Sequence, residues 1–554
     1  MQEISILVGG ITGYGINEAG IMISRLFNRL GYRIYMYNDF PSLVKGGHNF
    51  VIIRASQEKI AVHSDQIDVI LAFNQDAIDF HKKRLKDNTI IIYDTEKVRT
   101  DGLTQPAIGL PLAQILREED SPLPLRGNYC MIGGLCRALG LDWSSCEELL
   151  RKHSPEMLDQ NLKIARKGFD LAQQYNTVEK SKQPVLPVVS GSQAISLGLL
   201  KAGLLAYVAY PMTPTSPILE FLASLAPEFG LQVITPESEI AVMLRALGYA
   251  YMGVKTAVGT SGGGFSLMVE GLGLAGQAEL PVVVVLGQRA GPSTGMPTYT
   301  AQSDLNFVLH AGQGEFPRLI IAPGDAEEAC YWSGVALNKA WKYQMPAFIL
   351  TDKTLCLGLF SFDSNLVAEL QEEQPVLWNG LGEYQRYKYT ADGVSPLAFA
   401  PLAGQVIKIN SYVHDEYGLT SEDPAVAQAV IDKRFLKESY LARELEDYET
   451  VKVYGQGHTA LLCWGSNKGV CIETAQKYGL KVVQMLVLSP FPGKALLQAL
   501  QGVEKIISVE CNAKGQLVML LQQHGFKVDK QILKYDGRPF SLEDLENDVK
   551  KVMA

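Results

Sequence analysis

Four stretches in the middle of the chain combine rigid or glycine-rich backbone with groups that could hold an anion or a proton. Tyr210-Pro211-Met212-Thr213-Pro214-Thr215-Ser216 closes an apolar strand. Its prolines fix the backbone, and its hydroxyls stand at a carboxyl end, where α/β sheets bind ligands. Thr235-Pro236-Glu237-Ser238-Glu239 opens a helix whose apolar face is read through Ile240, Met243, Leu244 and Leu247. Two acids in a first turn suit proton chemistry and serve equally well as partners of the helix dipole. Thr260-Ser261-Gly262-Gly263-Gly264 is a flexible turn ahead of an apolar helix. Gln288-Arg289-Ala290-Gly291-Pro292 follows a buried-type strand and leads through Ser293-Thr294 to Thr298. A guanidinium there suits a carboxylate, because its planar fork makes two parallel charge-assisted bonds; a structural ion pair is the alternative.

Two further loops could meet an anion. The run Ile4-Ser5-Ile6-Leu7-Val8 is followed by Gly9, Gly10, Gly13 and Gly15, then by a helical pattern of Ala19, Ile21, Met22, Leu26 and Leu30. Strand, glycine loop and helix can cradle a phosphate, and can equally be a tight turn. The spacing is not G-x-G-x-x-G, since Ile11 and Tyr14 stand where glycines are needed. Lys45-Gly46-Gly47-His48 pairs a cation with mobile backbone and also reads as a surface hairpin.

The elements that must position these groups alternate between strand and helix, which defines an α/β protein. The chain has 554 residues, 47% of them hydrophobic and 20% charged, enough for about three domains with cores of their own. The first pattern fills residues 1–177. A polar run, 178–188, reads as a linker, and a second α/β pattern spans 189–360. The more polar stretch 361–450, with Lys433-Arg434 and Glu444 to Asp447, reads as a solvated connector. A third α/β pattern runs over 451–554. The strand Pro281-Val282-Val283-Val284-Val285-Leu286 carries no polar alternation, so it should be buried on both faces of a parallel sheet.

Composition removes several function classes. Fifty basic against 59 acidic residues give a net charge of −9, unlike a binder of phosphate backbones. None of the eight cysteines forms a C-x-x-C pair, so neither a zinc ribbon nor a ferredoxin-type cluster is expected in this chain. No apolar run reaches membrane-spanning length and no basic leader precedes the first strand, so a cytoplasmic protein with reduced thiols is expected.

The central motifs, taken in order, resemble the thiamine-dependent 2-oxoacid:ferredoxin (or flavodoxin) oxidoreductases. Tyr210 to Pro214 resembles the family's Y-P-x-T-P motif, and Glu237-Ser238-Glu239, the Thr260 turn, Glu279-Leu280-Pro281 and Gln288 to Thr298 follow in family order. His414-Asp415-Glu416-Tyr417-Gly418, Ser489-Pro490-Phe491-Pro492 and Val509-Glu510-Cys511-Asn512 continue the match. The resemblance implies three α/β domains: a gamma domain, a thiamine diphosphate pyrimidine-type domain and a transketolase C-terminal-like domain. The gamma–alpha fusion is that of 2-oxoglutarate-type alpha subunits.

The resemblance further implies oxidative decarboxylation of a 2-oxoacid, 2-oxoglutarate foremost, with coenzyme A as acyl acceptor. It places Glu239 on the aminopyrimidine of thiamine diphosphate, with Tyr210 and Pro211 beside the cofactor. It places Arg289, Thr213 and Thr298 on the oxoacid, and Lys45, Gly46 and Gly47 near coenzyme A. The sequence has no Gly-Asp-Gly and no clustered cysteines. The implied Mg²⁺ and [4Fe–4S] cluster therefore fall to a beta subunit that shares the cofactor, in a dimer of alpha–beta units that reduces ferredoxin or flavodoxin. The sequence departs from the family pattern at Tyr14, Ser192, Gln193, Gly263 and Gln313.

Overall fold

The computed structural model describes residues 3–41, 47–121 and 124–553. Its strands form three sheets, and the chain divides into two compact units.

The first unit comprises Met1–Val189, Gly358–Asp363 and Phe540–Lys551. Its central strand, Glu3–Ile11, is buried between its ends because it has a neighbour on each side. Ile67–Ala72 pairs with it in parallel and His48–Ser56 antiparallel. The glycine-rich turn then leads into the helix Ile16–Arg29. Gly15 must be glycine, since it sits at φ +64° and a Cβ there would lie 2.6 Å from Asn128 Nδ2. The loop is thus a turn packed on its own unit, with Asn128 Nδ2 donating to the Gly15 carbonyl at 2.8 Å. Arg33–Asp39 and His48–Ser56 pair antiparallel. Lys45 and Gly46 themselves lie outside the described residues.

Two features of this unit were hidden in the sequence. The polar run from Val178 is pinned rather than loose: the Ser181 N–H donates to Leu30 O at 2.7 Å, and Tyr32 Oη donates to Glu179 O at 3.0 Å. Backbone bonds of this kind leave no trace in composition. Leu359–Ser361 also returns to the first sheet, pairing antiparallel with Arg33–Asp39 in the register Leu359 to Met36.

The second unit holds Ser190–Leu357 and Ser364–Pro539. In its seven-stranded sheet, Val282–Gln288 lies between parallel neighbours Thr256–Thr260 and Pro346–Asp352, and all seven of its residues are buried, as its apolar run requires. A five-stranded sheet is built from Val451–Tyr454, Lys481–Met485, Thr459–Trp464, Lys505–Glu510 and Lys530–Leu533. One core joins both sheets, running from Val208 and Val284 to Leu462 and Val483. Two patterns read as separate domains therefore pack as one unit. The Glu510–Asn512 motif has a structural task there: Glu510 Oε2 accepts from the Leu517 N–H at 2.9 Å, and Asn512 Oδ1 accepts from the Gly515 N–H at 2.7 Å.

The solvated-connector reading of 361–450 does not hold for its charged stretch. Lys433, Arg434 and Lys437 lie on the helix Pro424–Glu444 and are buried. Lys433 Nζ donates to both Glu279 oxygens at 2.7 Å, and Lys437 Nζ donates to Glu279 Oε2 at 2.6 Å. Polarity alone cannot distinguish a charge in water from one paired in the interior. The helix Glu239–Tyr251 also turns differently from its predicted face. Val242, Met243, Ala246 and Leu247 are buried, whereas Ile240 and Leu244 are each 49% exposed.

Candidate active site

Three neighbouring parallel strands end together. The register pairs Gly259 with Ala209 and Thr260 with Leu286, so the loops after Ala206–Ala209, Thr256–Thr260 and Val282–Gln288 emerge side by side. They wall a cavity of about 540 Å³ whose lining includes Met212, Glu239, the Gly262–Gly264 turn, Arg289 and Asp304.

Each wall is held by local bonds. Thr215 Oγ1 donates to Met212 O at 3.0 Å and tightens the turn before the helix Ser216–Phe229. Ser261 Oγ lies 3.2 Å from Met212 Sδ and donates to it. Ser238 caps the helix Glu239–Tyr251 through a bond from the Ala241 N–H at 3.4 Å, which sets Glu239 as the first helical residue. Glu239 is 7% exposed, whereas Glu237 is exposed. A Cβ at Gly264 would stand 2.6 Å from Glu239 Oε1, so only glycine leaves the carboxylate its place.

Arg289 follows directly on the strand Val282–Gln288. Its Nη1 donates to Thr213 O at 3.2 Å, while its Nε is shut from water and has no partner. Burial lowers the Arg289 pKa, opposed by the nearby charges of Asp304 and Glu239. Burial likewise pushes the Asp304 carboxyl up to about 6, opposed by Arg289. An unsatisfied guanidinium nitrogen beside a buried acid, with an open volume between loops, suits an anionic ligand whose carboxylate takes the free fork. The acid at the glycine turn suits a ring nitrogen that shares a proton. These residues fit thiamine diphosphate on the pyrimidine side: a buried carboxylate, and a turn kept free of side chains against it.

The structure thus brings Glu239 and Arg289 into one cavity, with Thr213 joined to Arg289 through its carbonyl. Tyr210 is 41% exposed, Pro211 is exposed, and neither is a lining residue. Thr298 is buried and is also not part of the lining. Gly47 belongs to the first unit, is exposed and adopts φ +131°. Met212 and Asp304 were missed. Met212 occupies the variable place of its motif. Asp304 had a signal in the sequence, an acid just ahead of the short apolar helix Leu305–His310.

An α/β protein that gathers an acid and a guanidinium where parallel strands end is a class shared by many enzymes, and comparison narrows it. The family described as "Pyruvate flavodoxin/ferredoxin oxidoreductase, thiamine diP-bdg" matches residues 198–432, and "Pyruvate ferredoxin/flavodoxin oxidoreductase" matches residues 5–171. The alpha subunit of a 2-oxoacid:ferredoxin oxidoreductase from Sulfolobus sp. is 30% identical over 100% of this chain and 97% of its own. The 2-oxoglutarate oxidoreductase subunit KorA of Mycobacterium tuberculosis is 28% identical over 100% of this chain and 92% of its own. A solved structure of the 2-oxoglutarate:ferredoxin oxidoreductase from Magnetococcus marinus, with 2-oxoglutarate, coenzyme A and succinyl-CoA bound, superposes with a TM-score of 0.91. It shares 29% identity with this chain over 100% of both. The chain belongs to the 2-oxoacid:ferredoxin oxidoreductase family, among its alpha subunits. Among the described residues, no helix is long and apolar enough to cross a membrane.

Proposed function

We propose that the chain is the alpha subunit of a cytoplasmic, thiamine diphosphate-dependent enzyme that converts a 2-oxoacid and coenzyme A to acyl-CoA and CO₂ while reducing ferredoxin or flavodoxin. 2-Oxoglutarate is the favoured substrate, because the similar Magnetococcus marinus enzyme carries it. The observation that carries the reading is the placement of Glu239 and Arg289 on one cavity. A beta subunit completes the site and supplies the Mg²⁺ and the [4Fe–4S] cluster, in a dimer of alpha–beta units. Coenzyme A is assigned to the first unit, with Lys45, Gly46 and Gly47 as its candidate contacts.

Thiamine diphosphate, when bound, supplies the electron sink that decarboxylation needs. Glu239 would hydrogen-bond the aminopyrimidine ring of that group and keep it oriented. Arg289 binds the oxoacid's carboxylate through the fork that it leaves free, and the Thr213 carbonyl fixes the guanidinium plane from behind. The glycine turn lets the reacting groups approach the backbone closely.

The chain purified with its beta partner should reduce a viologen dye only when both a 2-oxoacid and coenzyme A are present. In that complex, Arg289→Ala should raise the KM for the oxoacid about 10- to 100-fold, the value of a charge-assisted bond. KM for coenzyme A should stay within twofold. Equal rises in both constants would remove Arg289 from the substrate, and no turnover with any oxoacid would leave the chain a scaffold.

A further inference from the structure

Three charged side chains line the cavity among the described residues: Glu239, Arg289 and Asp304. With both carboxyls ionised they leave one net negative charge. A 2-oxoacid adds a carboxylate of its own, so three anionic groups would face one guanidinium in a partly desolvated space. Such an arrangement repels the ligand it has to hold. Neutralising one of the two acids relieves that repulsion within this chain.

Geometry selects Asp304. Its backbone N–H donates to Gln288 Oε1 at 3.0 Å, and Gln288 Nε2 donates to Thr351 O at 3.2 Å, so the residue is tied to the sheet that also delivers Arg289. Its carboxyl rests on the first residue of the helix Gly262–Gln277, where a Cβ on Gly262 would lie 2.6 Å from Oδ2 and 2.8 Å from Oδ1. Oδ2 is shut from solvent and has no hydrogen-bond partner. Asp304 and Arg289 act on each other through space, and among the described residues no ion pair joins them. Groups from several elements surround it. The helix Glu239–Tyr251 contributes Glu239, the loop after Gln288 contributes Arg289, and the helix Gly262–Gln277 contributes its N-terminus and Ser266. Its own helix contributes Phe307, and Gln516, which bonds Ser303 and Asn306, is neutral. Glu239 is assigned to the cofactor's ring in the proposed function, on which this inference rests.

We infer that Asp304 is a positioning residue that must carry a proton for the oxoacid anion to settle on Arg289, so that substrate binding takes up one proton from solvent. Burial has raised this carboxyl to about 6, with Arg289 opposing. Below that pH the acid is already neutral and binding needs no proton. Above it the acid is ionised in the free enzyme, and each pH unit costs up to a factor of ten in oxoacid affinity.

The test is the KM for the oxoacid from pH 5.5 to 8.5, measured in the complete complex with its beta subunit. The wild type should show a KM that is flat at low pH and climbs toward tenfold per unit above the break, while KM for coenzyme A stays level. Asp304→Asn, neutral at every pH, should give an oxoacid KM without that climb and below the wild-type value at pH 8. Asp304→Leu, which fills similar space without a proton, carries the same expectation of a level profile should the asparagine variant not fold. A level wild-type profile in an active enzyme overturns the inference, and so does a variant that keeps the wild-type slope. Absence of turnover with any oxoacid is a different result and removes the proposed function itself.

Discussion

Glu239→Gln is expected to lower turnover of the reconstituted complex by a hundredfold or more while the chain melts as the wild type does. The two halves of this result separate two explanations of the same acid. As a partner of the helix dipole alone, Glu239 would be worth about 0.3–1 kcal/mol, and its loss would touch stability and not rate. As the group that shares a proton with the cofactor's ring, its loss removes an acid–base contribution of roughly 10²–10⁴ in rate. Glutamine keeps the length and one oxygen, and Ser238 still caps the helix, so the fold has no reason to change. A near-wild-type rate would take the proton chemistry away from this position. Glu237, the other acid of the motif, is exposed and outside the cavity lining, which leaves it a weak successor.

The second large effect is on stability. Glu279 is 1% exposed and is held by Lys433 and Lys437, themselves 4% and 1% exposed. Burial alone would raise its carboxyl; Lys433, Lys437 and Arg386 outweigh that and hold it well below the usual carboxylate range. Glu279→Gln removes the anion and leaves two ammonium groups in the interior. Breaking a buried pair in this way costs about 3–5 kcal/mol. In a unit of this size that is a fall of roughly 5 °C in the midpoint of thermal unfolding. Replacing all three charges with apolar residues of similar volume should recover much of the loss, because desolvation disappears along with the attraction. A Glu279→Gln variant that melts with the wild type would show that these ammonium groups find other partners.

The legible part of this protein was its local periodicity. Val282 to Leu286 could only be a strand buried on both faces, and it is. Arg289 and Glu239 were legible because they stand where an element begins or ends, and parallel register then brings those ends together. What escaped depends on partners distant in sequence. Lys433 reads as a surface charge until Glu279, on another segment, lies 2.7 Å away. Asp304 precedes the helix Leu305–His310 without capping it through its side chain, and only the cavity gives it a place in the site. Ile240 and Leu244 follow the helical period of the core, yet the packing turns them outward. The strand Leu359–Ser361 has no local mark that assigns it to the first sheet, since its pairing partner lies more than 300 residues earlier.

That returning strand constrains how the chain can be made. The edge offered by Arg33–Asp39 stays uncovered on the ribosome until residue 361 has emerged. Until then, the amino-terminal segment carries an open row of backbone donors and acceptors of the kind that invites intermolecular pairing. The first sheet is therefore completed by residues made more than 300 positions after the strand that they cover.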